Sequence, residues 1–238
     1  MLPDRPPAPR YYDLLMAGFV TVLICSNFIG PGKVVGFDLP GLGHVQFGAG
    51  NIFFPISYIF GDVLTEVYGY ARARRVIWAG FAAMVFAALM ANVVIALPPS
   101  TAESFNQEFQ PALERVFGHS GRIVLGSIAA FWIGDFANSY VMARLKVLTG
   151  GRWLWTRTIG STIVGQGVDS FVFYPLAFAG QWSGETMLAV IVTNWTMKVG
   201  VEVVMTPATY WACNRLKRAE GLDHFDRGTD FNPFSLRT

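Results

Sequence analysis

Charge is scarce in this chain. Only 14% of its 238 residues are Asp, Glu, Lys or Arg, against about 25% in an average soluble domain. The formal net charge is +2, which offers no basic surface for nucleic acid. Cysteine is nearly absent. Cys25 and Cys213 each lie in or beside an apolar stretch and give neither a disulfide framework nor metal-ligand spacing. The three histidines, His44, His119 and His224, fall in loops or in the tail. No GxSxG, HExxH or Walker pattern occurs. Enzymatic chemistry is therefore not expected: no catalytic residue, no metal and no cofactor.

What the chain has is apolar length. Hydrophobic residues make up 53% and the mean hydropathy is +0.40. Six stretches reach the roughly 17–25 residues that a bilayer requires. They run about Leu14 to Gly30, Gly48 to Tyr68, Val76 to Leu97, Ile123 to Ala143, Thr158 to Ala179 and Met187 to Cys213. The first lacks the small-residue cleavage site of a signal peptide and reads as a real helix. Basic residues alternate with the crossings. Arg5 and Arg10 precede the first span. Arg72, Arg74 and Arg75 follow the second. Arg144, Lys146, Arg152 and Arg157 follow the fourth, and Arg215, Lys217 and Arg218 follow the sixth. The opposite loops hold only Lys33, Arg115 and Arg122 as cations, and carry Glu103, Glu108, Glu114 and Glu185. The expected fold is an all-α membrane protein, a bundle of six transmembrane helices with both termini cytoplasmic. Residues 1–12 form a cytoplasmic N-terminal segment, 13–215 the membrane domain and 216–238 a polar, mobile cytoplasmic tail.

Two segments are not plain spanning helix. Residues 33–48, KVVGFDLPGLGHVQFG, place short β-prone pieces around a Pro-Gly turn signal. This segment is either a small external hairpin or a re-entrant piece over a cavity. Residues 102–117, in a polar external loop, have the pattern of an interfacial amphipathic helix.

Against this apolar background, five carboxylates and a lysine stand inside the spans: Asp62, Glu66, Asp135, Asp169, Glu202 and Lys198. A charge at the centre of a membrane helix costs about 2.5–3.5 kcal/mol even on the lenient insertion scale. Such groups face a bundle interior or a watery cavity, and they mark functional sites. At about 1.5 Å rise per residue, Asp62, Asp135, Asp169 and Glu202 all fall near the midplane, where carriers bind substrate. Helical spacing puts them on stripes with polar or aromatic partners: Tyr58, Asp62 and Glu66; Phe131, Asp135 and Asn138; Gln166, Asp169 and Ser170; Trp195, Lys198 and Glu202. Such a mixture suits a flat polar ligand that is stacked by rings and read at its edge.

Plainer readings stand beside these. Lys198 and Glu202 serve equally as an ion pair within one helix. Asp135 and Asn138 serve equally as links to a neighbouring helix. Glu66, taken alone, reads as an interfacial or packing residue, and the arginines at 72, 74 and 75 read mainly as topology signals. The plain readings account poorly for midplane acids on four separate spans. Five acids against one lysine require that some be protonated or joined by a cation. On the third span Ala79, Ala83, Ala87 and Ala91 form a small-residue packing face, within the bundle by preference or else between two copies in a homodimer. Gly61-Asp62 is echoed by Gly134-Asp135, which hints at equivalent roles for two helices.

The stretch FFPISYIFGDVLTEVYGYARARRVIWAGF, residues 53–81, together with Ser26-Asn27, GDFANSYVMARLK from Gly134 and STIVGQGVDSFVF from Ser161, resembles the queuosine precursor transporters, also called the vitamin-uptake transporter family. The likeness covers nearly all of the membrane part. It implies six helices and import across the bacterial inner membrane of 7-cyano-7-deazaguanine or 7-aminomethyl-7-deazaguanine. It also implies a likeness to the substrate-binding subunits of energy-coupling-factor transporters, usually working alone; the rival reading is a subunit that needs a separate ATP-driven module. The partners expected are a small deazapurine and the lipid bilayer. A carboxylate accepts the paired N–H donors of a guanine edge, and an amide meets the carbonyl beside them. Substrate contact is expected from Asn27, Phe54, Tyr58, Asp62, Glu66, Asn138, Gln166, Asp169 and Trp195. Asp62 or Asp169 would read the edge. A charge network or proton coupling is expected from Asp135, Lys198 and Glu202.

Overall fold

The computed structural model describes residues 9–29, 33–39, 43–118 and 121–235. Its elements in order are α1 (Tyr12–Phe28), β1 (Val34–Leu39), β2 (Gly43–Gly48), a 3-10 turn (Ala49–Phe53), α2 (Phe54–Tyr68), α3 (Tyr70–Ala96), α4 (Phe105–Phe117), α5 (Gly121–Leu148), α6 (Leu154–Phe178) and α7 (Gly184–Glu220). Each apolar stretch read from the sequence corresponds to one long helix. The two expected exceptions also take form. β1 and β2 make an antiparallel hairpin in which Val34 pairs with Gly48 and Leu39 with Gly43. α4 is a separate helix with no buried residue.

Among the described residues, α3 and α7 are long and apolar enough to cross a membrane, and three spans result if α4 and α5 count as one. α5 and α6 have 28 and 25 residues, but their apolar run is interrupted by Asp135, Asn138, Gln166 and Asp169. α1 and α2 are shorter, at 17 and 15 residues.

Polarity is inverted relative to a water-soluble bundle. Glu66, Arg74, Lys146, Arg157 and Glu202 are buried, whereas Phe86 is 64% and Val204 76% exposed. The main core joins Phe19 and Leu23 of α1 to Val63, Leu64 and Val67 of α2, Met84 of α3, Met142 of α5 and Cys213 of α7. A second, aromatic core gathers Tyr70, Ile77 and Phe136, with Trp78, Trp132 and Phe231 packed against it.

One end of the bundle collects the start of α1, the end of α2, the start of α3, the end of α5, the start of α6 and the end of α7. The Glu220 carboxylate there accepts the backbone N–H groups of Arg10 and Tyr11, both at 2.7 Å, and so occupies the positive start of α1. α2 and α3 are separated by Gly69 alone. Its φ of +83° suits glycine, and a side chain there would run into the His224 ring.

The tail, expected to be mobile, is folded against this same end through Ser235. Asp226 accepts from the Tyr70 backbone N–H, the first of α3, at 3.1 Å. Arg74 donates to the carbonyls of Asp230 and Asn232, both at 2.8 Å, and Trp78 Nε1 donates to Pro233 at 2.8 Å. Arg74, read as a topology signal, is therefore a buried structural residue. Its guanidinium is buried and takes acceptors from the tail backbone.

α5 and α6 approach most closely at glycine. A Cβ on Gly165 would stand 2.7 Å from the Cβ of Asn138, and one on Gly134 would stand 3.0 Å from that of Asp169. The alanines of α3 are not that kind of contact. Ala87 and Ala91 line a space of about 380 Å³ with Ile24 and Phe28 of α1 and Leu113 and Phe117 of α4. The Gly-Asp echo is also not an equivalence in packing, because Gly61 has open space where Gly134 is pressed.

Candidate substrate cavity

Close packing of α5 on α6 sets the polar site. Gly134 and Gly165 let the two backbones touch. This brings Asp135 and Asn138 of α5 beside Gln166 and Asp169 of α6. With α1, α2 and α7 they enclose a cavity of about 260 Å³. Its polar lining comprises Asn27, Asp135, Gln166, Asp169, Asn194 and Lys198, with hydroxyls from Ser26, Ser57 and Ser127. Its rings are Tyr58, Phe131, Phe173 and Tyr174. Ligand pockets typically run from roughly 300 to 1,000 Å³, so this one suits a compact bicyclic molecule. Lys198 Nζ lies 2.7 Å from Asp169 Oδ2, and both side chains are only partly buried. The lysine therefore pairs across helices and not with Glu202 on its own helix, as one sequence reading had it.

Beneath this cavity lies a second, narrower space of about 20 Å³. Tyr58, Asp135 and Gln166 line both. Asp62 and Asn138 lie here, with Asn138 Nδ2 3.4 Å from Asp62 Oδ1. The space holds no ring, so Asp62 sits behind the cavity wall. Glu202 is fully buried and its carboxyl neighbours that of Asp62 across the α2–α7 contact.

Glu66 belongs to neither space. It is fully buried and its carboxylate takes both arms of the Arg157 fork, Nε and Nη2, at 2.7 Å each. Lys217 pairs with the same carboxylate, Lys146 stands 3.5 Å away, and Lys146 also donates to the Glu66 backbone carbonyl. Asp223 completes the cluster at 2.6 Å from Lys146 and 2.8 Å from Lys217. Lys146 and Arg157 had read as loop charges marking topology. Each is 1% exposed. Sequence alone gave no warning, because both stand at the ends of apolar runs where snorkelling arginines and lysines are ordinary.

The structure thus brings together Asn27, Tyr58, Asp135, Gln166, Asp169 and Lys198 around one cavity. It sets Asp62, Asn138 and Glu202 one layer deeper and Glu66 in an ion cluster at the basic end. Trp195 does not reach the cavity: its Nε1 donates to the Ile163 carbonyl at 2.9 Å and its ring lies over Gly167. Phe54 opens α2, and its side chain lies outside the described residues. Five polar or aromatic lining residues were given no role in the sequence reading: Ser57, Ser127, Phe173, Tyr174 and Asn194. Asn194 was recoverable, since it stands four residues before Lys198 on the same helical face.

A helical bundle with apolar outer surfaces around a polar cavity suits a membrane transporter of a small polar molecule. Residues 48–212 match the family described as "Putative vitamin uptake transporter", and the chain belongs to that family. It is 33% identical over 197 residues to the "Probable queuosine precursor transporter" of Bacillus subtilis, covering 82% of this chain and 80% of the relative. It is 30% identical over 129 residues to the protein of the same name in Haemophilus influenzae, covering 54% and 51%. It is 26% identical over 189 residues to the "Queuosine precursor transporter" of Escherichia coli, covering 77% of each. No solved structure matches the chain.

Proposed function

We propose that this protein imports queuosine precursors, 7-cyano-7-deazaguanine or its aminomethyl relative, as a secondary carrier in the bacterial inner membrane. The observation that carries the reading is the 260 Å³ cavity in which carboxylates, amides and aromatic rings converge. A deazaguanine presents a flat ring and an edge of adjacent N–H donors beside a carbonyl. Asp135 and Asp169 are the acceptors within reach of such an edge, Gln166 and Asn194 suit the carbonyl, and Tyr58, Phe131 and Tyr174 suit the ring faces. Asp62 moves from the role of edge reader to that of support, because its space is too small for a ring. The relatives' names point to the same ligand class.

The same reading takes all six long helices as crossings. It is supported by their alternating direction and by the end that gathers Arg10, Arg74, Lys146, Arg157, Lys217 and Arg218, which the positive-inside rule makes cytoplasmic. Exposed Phe86, Leu89 and Val93 on α3 and Val203 and Val204 on α7 then face lipid.

Uptake of labelled 7-cyano-7-deazaguanine by liposomes containing only the purified chain tests the proposal. Saturable uptake by the chain alone supports a secondary carrier. Binding without transport favours a substrate-binding subunit served by an ATP-driven module. Asp169→Asn and Gln166→Leu are expected to lose uptake while retaining insertion. Wild-type uptake in both removes this cavity from the function.

A further inference from the structure

The interior acids are unequally provided with cations. Lys198 pairs with Asp169. Arg157, Lys146 and Lys217 converge on Glu66, and Arg74 is held by the carbonyls of the tail. Among the described residues none of these reaches Asp62 or Glu202, which are 1% and 0% exposed.

Three carboxyl oxygens of this pair are wholly buried and receive no donor from any other described residue: Oδ2 of Asp62 and both of Glu202. The fourth, Asp62 Oδ1, has the long contact from Asn138. The ionisable groups that face the pair offer no positive charge. Glu66 and Tyr58 come from α2, Asp135 from α5 and Cys213 from α7. α6 contributes the neutral Thr162 and Gln166 to the space around Asp62, and α1 and α3 contribute Phe19, Val76 and Ile77. Two ionised carboxylates here would have no donor between them, and an unpaired buried charge is among the costliest arrangements in a protein. A protonated carboxyl is a donor and an acceptor at once. One proton shared by two adjacent acids lets each serve the other.

We propose that Asp62 and Glu202 form the coupling site of the carrier, holding one proton in common and carrying it inward with each substrate molecule. The inference rests on the carrier reading above and adds its driving ion. The position of the pair suits that task. Asp62 shares the narrow space with Tyr58, Asp135 and Gln166, which line the cavity as well. A ligand that engages Asp135 therefore alters the field at Asp62. On the other side Glu66 lies one turn further along α2, within the basic cluster. In a cycle the proton enters from outer water through the open cavity, bridges the two carboxyls while the substrate is bound, and leaves to inner water after substrate release. Nothing is oxidised or reduced. With a neutral precursor one positive charge moves inward per turnover.

The test uses the full chain in liposomes with labelled 7-cyano-7-deazaguanine and two readouts. Counterflow exchange at equal pH reports movement of substrate without a driving ion. Net accumulation with the interior made alkaline reports coupling. Wild type is expected to accumulate substrate about tenfold per pH unit for one proton per molecule and to lose this when a protonophore is added. Glu202→Gln, which lies outside the cavity lining, is expected to keep exchange and lose accumulation. The proposal is overturned if wild type exchanges substrate but ignores the pH gradient, or if Glu202→Gln accumulates like wild type. Absence of exchange in wild type would instead overturn the carrier reading and this inference with it. Should Glu202→Gln fail to fold, Asp62→Asn takes its place with the same expectation, and accumulation by it equal to wild type overturns the proposal.

Discussion

Glu66 gathers three cations from three other helices around a fully buried carboxylate. Replacing one member of a buried ion cluster leaves the others desolvated and unpaired, at a cost of about 3–5 kcal/mol. Glu66→Gln is therefore expected to lower stability by about that amount in a denaturant titration in detergent, while the fraction that remains folded still binds ligand. Lost binding with intact stability would return Glu66 to the substrate contacts, where the sequence first put it. Asp223, at the edge of this cluster, titrates in reach of solvent. Partial burial acts to raise its carboxyl, but the hydrogen bonds from Lys146 and Lys217 outweigh that and hold it below the usual aspartate range. A depressed folded value means that its contribution is complete above the unfolded value of about 3.9. It is lost as pH falls from there through the folded value. Thermal midpoints of wild type should fall across that acidic window, and those of Asp223→Asn should fall less. At this scale the sequence was a partial guide. Acids deep in apolar helices declared themselves, since only function or a partner excuses their cost. The partners did not: Lys146 and Arg157 look the same in sequence whether they snorkel into water or turn inward to Glu66.

Among the elements, the contact of α5 with α6 fixes the site. Gly165→Ala puts a methyl group 2.7 Å from the Asn138 Cβ and 3.0 Å from the Gly134 carbonyl oxygen, with no flexible side chain to give way. Overpacking of this kind costs roughly 1–3 kcal/mol, and here it also parts Asn138 from Asp62 and Asp135 from Gln166. Gly165→Ala is expected to lose both thermal stability and affinity for the precursor. Gly61→Ala, with open space around its Cβ, is the matched control and should keep both. The long helices, the hairpin after α1 and the amphipathic α4 were legible as periods and turn signals. The tight helix pair was not. The alanine stripe on α3 was visible in sequence and faces α1 and α4, but the tighter glycine contact had no such stripe to announce it, because a small-residue stripe records what permits close approach and not what makes it.

The whole molecule is an inside-out bundle closed at one end by its own tail. If all six long helices cross, cysteines placed at Asp38 and at Ser235 must lie on opposite sides of the membrane. A membrane-impermeant thiol reagent should label Asp38→Cys in intact cells and Ser235→Cys only after lysis. Labelling of both from outside would refute the six-crossing topology. Deleting residues 222–238 strips Arg74, Trp78 and Tyr70 of their carbonyl acceptors, and unmet buried donors cost about 1–3 kcal/mol each. The shortened chain is expected to unfold at lower temperature and to be cut faster by protease near Arg74. A polar tail suggested mobility because nothing in its sequence reveals that α3 presents buried donors to it.

That dependence has a consequence for how the protein is made. Arg74 leaves the ribosome long before its acceptor Asp230, which lies 156 residues later in the chain. Throughout synthesis the guanidinium at the head of α3 must wait in water or among lipid headgroups. The bundle can seal that end only once Asp230 and Asn232 have emerged. A nascent chain stalled before Asp230 emerges would have its helices made yet be left open at that mouth.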